Sequence, residues 1–237
     1  MKPLFKHNQS KQVENWRLMT ASARRDRLAT ACETLITLLP DSQHGNAKRV
    51  FAQLLTQANK LDAVTDMDGA TGESNELRHT ARGKALIVGL PSAHGSSYAS
   101  LLLMAQAVSA LLAGCEVILR CVEQQNLTAN LQEAFLTAGV PDLVIDVAND
   151  ADLVTLLHMS RLAVVGVVGI QKEVNEVANT LAQTDGILTQ LVPITDLEGG
   201  HEIFAPDFVF HYSTERVKTV NTTAIGGNAS LIELGMG

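Results

Sequence analysis

Between residues 84 and 192, short and uniformly apolar runs alternate with longer helical patterns, and few folds accept that rhythm. ALIVGL (85–90), EVILRC (116–121), LVIDV (143–147), LAVVGVVG (162–169) and ILTQLV (187–192) are too short for helices. They are also too continuously apolar for strands with one wet face, so they read as strands covered on both sides. Helical stretches separate them: 98–113 ended by Gly114, 126–139 with Asn126 as the expected cap, 150–160 opened by Asp150, and 172–183. Connections between parallel strands are right-handed by rule. The expected fold is therefore α/β, a doubly wound Rossmann-type parallel sheet.

The flanks read differently. Residues 10–61 predict two helices, the first carrying Leu28, Ala31, Cys32, Leu35 and Leu39 at three- and four-residue steps before Pro40. The second carries Val50, Phe51, Leu54, Leu55, Ala58 and Leu61. Residues 62–83 lose periodicity, gain Gly, Asp and Ser, and read as a linker. After Pro193 the alternation stops, and DFVFHYST (207–214) and RVKTVNTT (216–223) predict a β-hairpin. A lone hairpin is marginal in water, so this one is expected to lean on the domain or on another subunit. The expected division is an N-terminal helical segment and linker (1–83), a Rossmann-type domain (84–193), and a β-flap with C-terminal tail (194–237), in one compact unit.

Composition narrows the function. The chain of 237 residues carries 18 Lys+Arg against 25 Asp+Glu, a net charge of −7 that argues against nucleic-acid or acidic-membrane partners. With 46% hydrophobic and 18% charged residues it is built to bury a core. The longest apolar run, 98–115, is rich in small residues and includes Gln106, so no membrane span is expected. The start has no apolar signal core, and the expected location is the cytoplasm. Cys32, Cys115 and Cys121 sit in no metal or disulfide spacing, and no metal site is expected.

A doubly wound sheet binds ligands beyond the carboxyl ends of its strands, where strand order reverses. The turn after the first of these strands, GLPSAHGSS (89–97), lacks the GxGxxG fingerprint of dinucleotide folds. Gly166 and Gly169 end the fourth strand and lead into a helix whose free N–H groups suit an anion. Arg120 and Glu123 stand at the end of the second strand, where such folds contact a ribose; the bland alternative is an exposed charged pair. Among the thiols, Cys121 is nearest the ligand edge but has no His or Asn beside it in sequence to activate it. The seven histidines form no HExxH or HxH pattern, and His94 alone falls in the first turn. No catalytic constellation emerges.

Several segments resemble one family. Residues 16–25 with Leu28 and Leu35 resemble the opening helices of aldehyde dehydrogenases. ALLAGCEVILRCVE (110–123) resembles their AALAAGNxVxxKPxE strand, which contributes to the adenosine-ribose site, and LAVVGVVGIQKEV (162–174) resembles their GVxFTGSTxVG turn. GATGESNEL (69–77) looks like the GPTGESNxL signature of proline utilization A proteins, and VNTTAIGGNASLIELG (220–235) is similar to the VNTxAxGGNASLxxxG tail that closes them. The departures are equally specific. Pro91-Ser92-Ala93-His94 replaces PWN, Arg120-Cys121 replaces KP, and Val168-Gly169-Ile170 replaces TGS. No cysteine stands in a GQxC context, and ILTQLVPITD runs almost directly toward the terminal flap where the family has a separate catalytic domain.

What the resemblance implies is an aldehyde-dehydrogenase-like unit without its catalytic domain. It implies a non-catalytic module of proline catabolism, a partner or lid for a proline/1-pyrroline-5-carboxylate dehydrogenase. The tail residues Asn221, Thr222, Thr223, Gly226, Gly227, Asn228 and Ser230 would form its contact surface, and a homodimer through the β-flap is expected. The alternatives are an NAD-dependent 1-pyrroline-5-carboxylate dehydrogenase and a dinucleotide-binding sensor. In either, NAD would be the cofactor, met by Arg120, Glu123, Gly166 and Gly169.

Overall fold

The computed structural model describes residues 3–221. Helices come first: α1 (Pro3–Leu18), α2 (Ala21–Thr37), α3 (His44–Thr56) and the single turn α4 (Ala58–Leu61), more than the two expected. The apolar spacing does its work as read, since Leu28, Ala31, Cys32 and Leu35 form the buried stripe of α2 and Val50, Phe51 and Leu54 that of α3. Two groups finish the start of α2. The Thr20 hydroxyl accepts from the Ala23 amide at 3.2 Å, and the Asp62 carboxylate, just past α4, accepts from the Ala21 and Ser22 amides at 2.6 and 2.8 Å. Buried Arg24 serves the other polarity. It donates to the carbonyls of Trp16 (3.1 Å) and Met19 at the end of α1, and to that of Leu112 (2.8 Å). A guanidinium laid on helix carboxyl ends meets both their unpaired carbonyls and their negative pole.

The expected linker is not one. Residues 62–83 contain β1 (Val64–Met67) and β2 (Glu73–Ala81), an antiparallel hairpin. The free edge of β2 is taken up far along the chain by the last described strand. The central domain follows: β3 (Lys84–Gly89), α5 (Ala99–Ala113), β4 (Glu116–Arg120), α6 (Gln125–Thr137), β5 (Ile145–Val147), α7 (Leu153–Leu157), β6 (Leu162–Val168), α8 (Gln171–Leu181) and β7 (Gln190–Ile194). Its strands pair in the order β5-β4-β3-β6-β7, all parallel, which is the expected doubly wound sheet. Both faces are covered. Ala85 and Ile87 of β3 join the core under α2, α3 and α5, while Leu86 and Val88 join a second core under α7 and α8. Every residue of α5 except Ser100 is buried, so the helix is enclosed on all sides. It stops where Gly114 turns left-handed at φ 93°, with the Arg24 guanidinium about 3.0 Å from where a Cβ would stand. Two expected caps shift by a residue or two. The helix of Asn126 begins at Gln125, and Asp152 rather than Asp150 caps α7, accepting from the Thr155 amide at 3.0 Å.

Beyond β7 the expected first strand of a hairpin is replaced by a 3-10 turn, Phe208–Tyr212. Phe208, Val209 and Tyr212 are all buried, a spacing that alternation along a strand cannot satisfy. One strand, β8 (Ser213–Asn221), then pairs antiparallel with β2 from Ala81↔Ser213 to Glu73↔Asn221. The flap is therefore a three-stranded sheet, β1-β2-β8, assembled from segments on either side of the parallel-sheet domain in the chain. Among the described residues no helix is long and apolar enough to cross a membrane.

Candidate functional site at the carboxyl edge of the parallel sheet

Strand order reverses beside β3, so the crevice of interest lies beyond the ends of β3, β4 and β6. The four residues expected there are not brought together as one cradle. Gly166 lies inside β6, paired with Ile87 and Val192, and is a packing glycine rather than a turn residue. A Cβ there would come within 2.6 Å of the Tyr212 hydroxyl, 2.7 Å of Gln106 Oε1 and 2.8 Å of Ile87 Cδ1. Gly169 does end the strand. Its amide donates to the Ile194 carbonyl at 3.1 Å, and the Leu90 side chain packs over its Cα, 2.8 Å from where a Cβ would stand. Arg120 is drawn toward the loop after β5, its Nε donating to the Ala151 carbonyl at 3.0 Å. Glu123 is exposed in the short turn before α6, on an open cleft of about 610 Å³ shared with Ser100, Gln124, Gln125 and Asn130. Asn221 closes β8, and Thr222, Thr223, Gly226, Gly227, Asn228 and Ser230 lie outside the described residues.

Two residues to which sequence reasoning gave no role meet beyond the ends of β3 and β6. Ser92, just after β3, and Glu173, in the first turn of α8, are joined although 81 positions apart. Ser92 donates its hydroxyl to Glu173 Oε2 and its amide to Glu173 Oε1 at 3.2 Å, while its hydroxyl oxygen accepts from the Ile170 amide at 2.9 Å. The only signal in the sequence is an acidic residue in a helix's first turn, which is commonplace.

The thiols are all buried and all held protonated. Burial pushes Cys32 up to about 12 and Cys115 up to about 11, and it also raises Cys121. Cys115 donates to the Tyr212 carbonyl at 3.3 Å, and the backbone of Cys121 is fixed by Asn149, whose Oδ1 accepts from its amide at 2.9 Å. A thiol becomes a nucleophile as thiolate, so none of the three is prepared for attack near neutral pH. His94 is exposed in the turn after β3.

Asp196, His201 and Glu202 gather within 4.8 Å of one another in the loop after β7. The loop itself uses their oxygens. Asp196 accepts from the amides of Gly199 and His201 at 3.0 and 3.1 Å, and Glu202 Oε1 from the Thr195 amide at 2.7 Å. The His201 ring, 3.0 Å from Asp196, together with these amides holds Asp196 down to about 2, and the same contact raises His201.

No protein-family model and no curated protein sequence matches the chain. Solved structures do match. Proline utilization A from Bradyrhizobium japonicum, in a mutant form, is 22% identical with a TM-score of 0.66, over 78% of this chain and 21% of its own. The Bdellovibrio bacteriovorus protein of that name, inactivated by N-propargylglycine, is 14% identical with a TM-score of 0.65 over the same shares. A betaine aldehyde dehydrogenase from Staphylococcus aureus in complex with NAD+ is 13% identical with a TM-score of 0.64, over 78% of this chain and 40% of its own. The chain has part of the aldehyde dehydrogenase fold. It spans about a fifth of the proline utilization A chains it matches. The aldehyde dehydrogenase fold implies a dinucleotide at the edge of the parallel sheet, and the residues of this chain do not fit one as they stand. The Ile170 amide just before α8 is taken by the Ser92 hydroxyl, and the Leu90 side chain and the Glu173 carboxylate crowd Gly169, 2.8 and 3.0 Å from where a Cβ would stand.

Proposed function

We propose that this chain is a non-catalytic, aldehyde-dehydrogenase-like module of proline catabolism. It acts as a partner or lid for a proline/1-pyrroline-5-carboxylate dehydrogenase through its C-terminal tail. The observation that carries this reading is the connection from β7 to β8. Residues 195–212, two short 3-10 turns and their loops, take the chain from the parallel sheet into the flap with no second domain between them. Acyl transfer by a thiol needs an activated nucleophile and an oxyanion donor. The three buried, protonated cysteines offer no such nucleophile, which supports a binding role over a catalytic one.

Two features support the parts of the proposal. The GATGESNEL and VNTTAIGGNASLIELG segments resemble those of proline utilization A proteins, and β2 and β8 bring the first beside the start of the second, with Glu73 opposite Asn221. The flap sheet is wet on both faces, exposing Val64, Met67, Val217 and Val220, and a sheet without its own core gains by docking on a second copy. The module works as a homodimer joined through these flaps.

Calorimetry with a purified proline/1-pyrroline-5-carboxylate dehydrogenase tests the reading. The full chain is expected to bind, and a variant ending at 221 to lose binding while keeping its circular dichroism. Absence of binding by the full chain, or undiminished binding by the shortened one, would overturn it.

A further inference from the structure

A cavity of about 490 Å³ opens at the seam between the flap and the central domain, lined by His79 of β2, Arg82 between β2 and β3, Phe210 of the 3-10 turn, and Ser213 and Glu215 of β8. The backbone around it is fixed. The Arg82 amide donates to the Tyr212 carbonyl at 3.0 Å, and Ala81 pairs with Ser213 in the ladder. Its side chains are not satisfied in the same way. Arg82 Nε and His79 Nδ1 are buried and make no hydrogen bond, and no carboxylate among the described residues pairs with the Arg82 guanidinium. A cation and an imidazole nitrogen withdrawn from water without partners cost free energy that this fold does not recover locally. Two different segments of the chain thus bring unpartnered nitrogens to one cavity. The Ser213 hydroxyl does not meet them, since it donates to the Phe210 carbonyl at 3.0 Å. The His79 ring stands edge-on to Phe210, with centroids 4.7 Å apart. Glu215 is directly opposite His79 in the β2–β8 ladder, on the same face, and is exposed at the mouth of the cavity.

We infer that this cavity is a binding site for a small carboxylate with a neighbouring hydrogen-bond donor, an α-hydroxy or α-amino acid. The carboxylate seats on the planar fork of Arg82, which matches its geometry, and on the His79 nitrogen. The hydroxyl or ammonium turns to Glu215, and Phe210 meets the carbon skeleton. A bare phosphate fits less well, because its higher charge faces the Glu215 carboxylate. The site depends on the seam alone and stands whether or not the tail binds a partner enzyme.

The test is isothermal calorimetry of the full chain with L-lactate, with L-alanine and, separately, with inorganic phosphate. Both carboxylates are expected to bind in the millimolar range and phosphate more weakly than either. Arg82→Leu, which keeps much of the bulk and removes the charge, is expected to weaken both carboxylates by at least about tenfold. Glu215→Gln is expected to weaken L-alanine, whose ammonium needs the charge, more than L-lactate. Circular dichroism and thermal melting establish that each variant is folded. An NMR titration of the wild type needs no variant: L-lactate should shift the His79 ring signals and leave those of His158, at the end of α7, in place. Four outcomes overturn the site: a wild type that binds neither carboxylate, undiminished binding by folded Arg82→Leu, phosphate bound as tightly as the carboxylates, or His79 signals unmoved at saturating L-lactate.

Discussion

The two sheets of this molecule are built on opposite terms. In β6 every residue from Leu162 to Val168 is buried, and in β8 only Ser213 is. The parallel sheet is held by apolar surface on both faces and would lose that surface to water if any layer left. The flap is held by its ladder, nine residue pairs between β2 and β8 with solvent on either side. Burial is collective and falls steeply when one side chain is cut back, whereas an exposed ladder spreads small terms over many residues. The contrast explains why the parallel sheet is a fixed scaffold while the flap keeps most of its side chains in water.

Substitutions can break or sharpen that contrast. The largest effect is expected for Leu86→Ala, which empties a fully buried position of β3 and should cost about 2–5 kcal/mol in urea unfolding. A loss near zero would mean the second core is loosely packed. Gly166→Ala comes next, at about 1–3 kcal/mol, because the new methyl meets Tyr212, Gln106 and Ile87 in a filled space.

Asp62→Ala should cost about 1 kcal/mol by uncapping α2. Burial raises the Asp62 carboxyl, but hydrogen bonds from Ser22 and Ala21 and the charge of Arg24 outweigh it and leave it lowered. A depressed folded value places this stabilisation above the ordinary carboxylate range. It is lost as pH falls through the folded value, so wild type and Asp62→Ala should converge in acid unfolding curves.

Val217→Ala on the flap should change the stability of the isolated chain by less than about 0.5 kcal/mol. If flaps dock on each other, Val217→Asp will instead lower the apparent mass in sedimentation, which separates a ladder standing alone from one covered by a second copy. The smallest effect is local. The His201 ring should titrate above the ordinary imidazole value because of Asp196, its bond present below that value and lost as pH rises through the raised one. Asp196→Asn should return the NMR titration of His201 toward the ordinary range.

Legibility followed the same division. The five buried strands were read within a few residues of their bounds, because an uninterrupted apolar run has one stable home, a sheet covered on both faces. β1 and β2 were read as a linker because Asp66, Asn75 and Glu76 lie on a sheet with no dry face, so no periodicity marks them. Their strand character comes from β8, about 140 positions away along the chain, and a partner at that distance leaves no local pattern. Gly166 shows the reverse error. Its neighbour Gly169 made a turn look natural, yet the tight packing of α5 and Tyr212 on the sheet is what requires a glycine there.

The candidate site was legible in place and not in content. Position at the carboxyl edge follows from topology, and topology follows from the alternation of strands and helices. Which groups fill that edge depends on side chains that meet only after folding. The sequence by itself determined the doubly wound core and the apolar stripes of its helices, because burial is a property of apolar runs. Only the tertiary structure decided that Ser92 and Glu173 meet, that Arg24 finishes two helices and that the flap is stitched from segments on either side of the parallel-sheet domain. Hydrogen bonds and ion contacts between distant residues depend on angstrom-scale approach, and no spacing in one dimension records it.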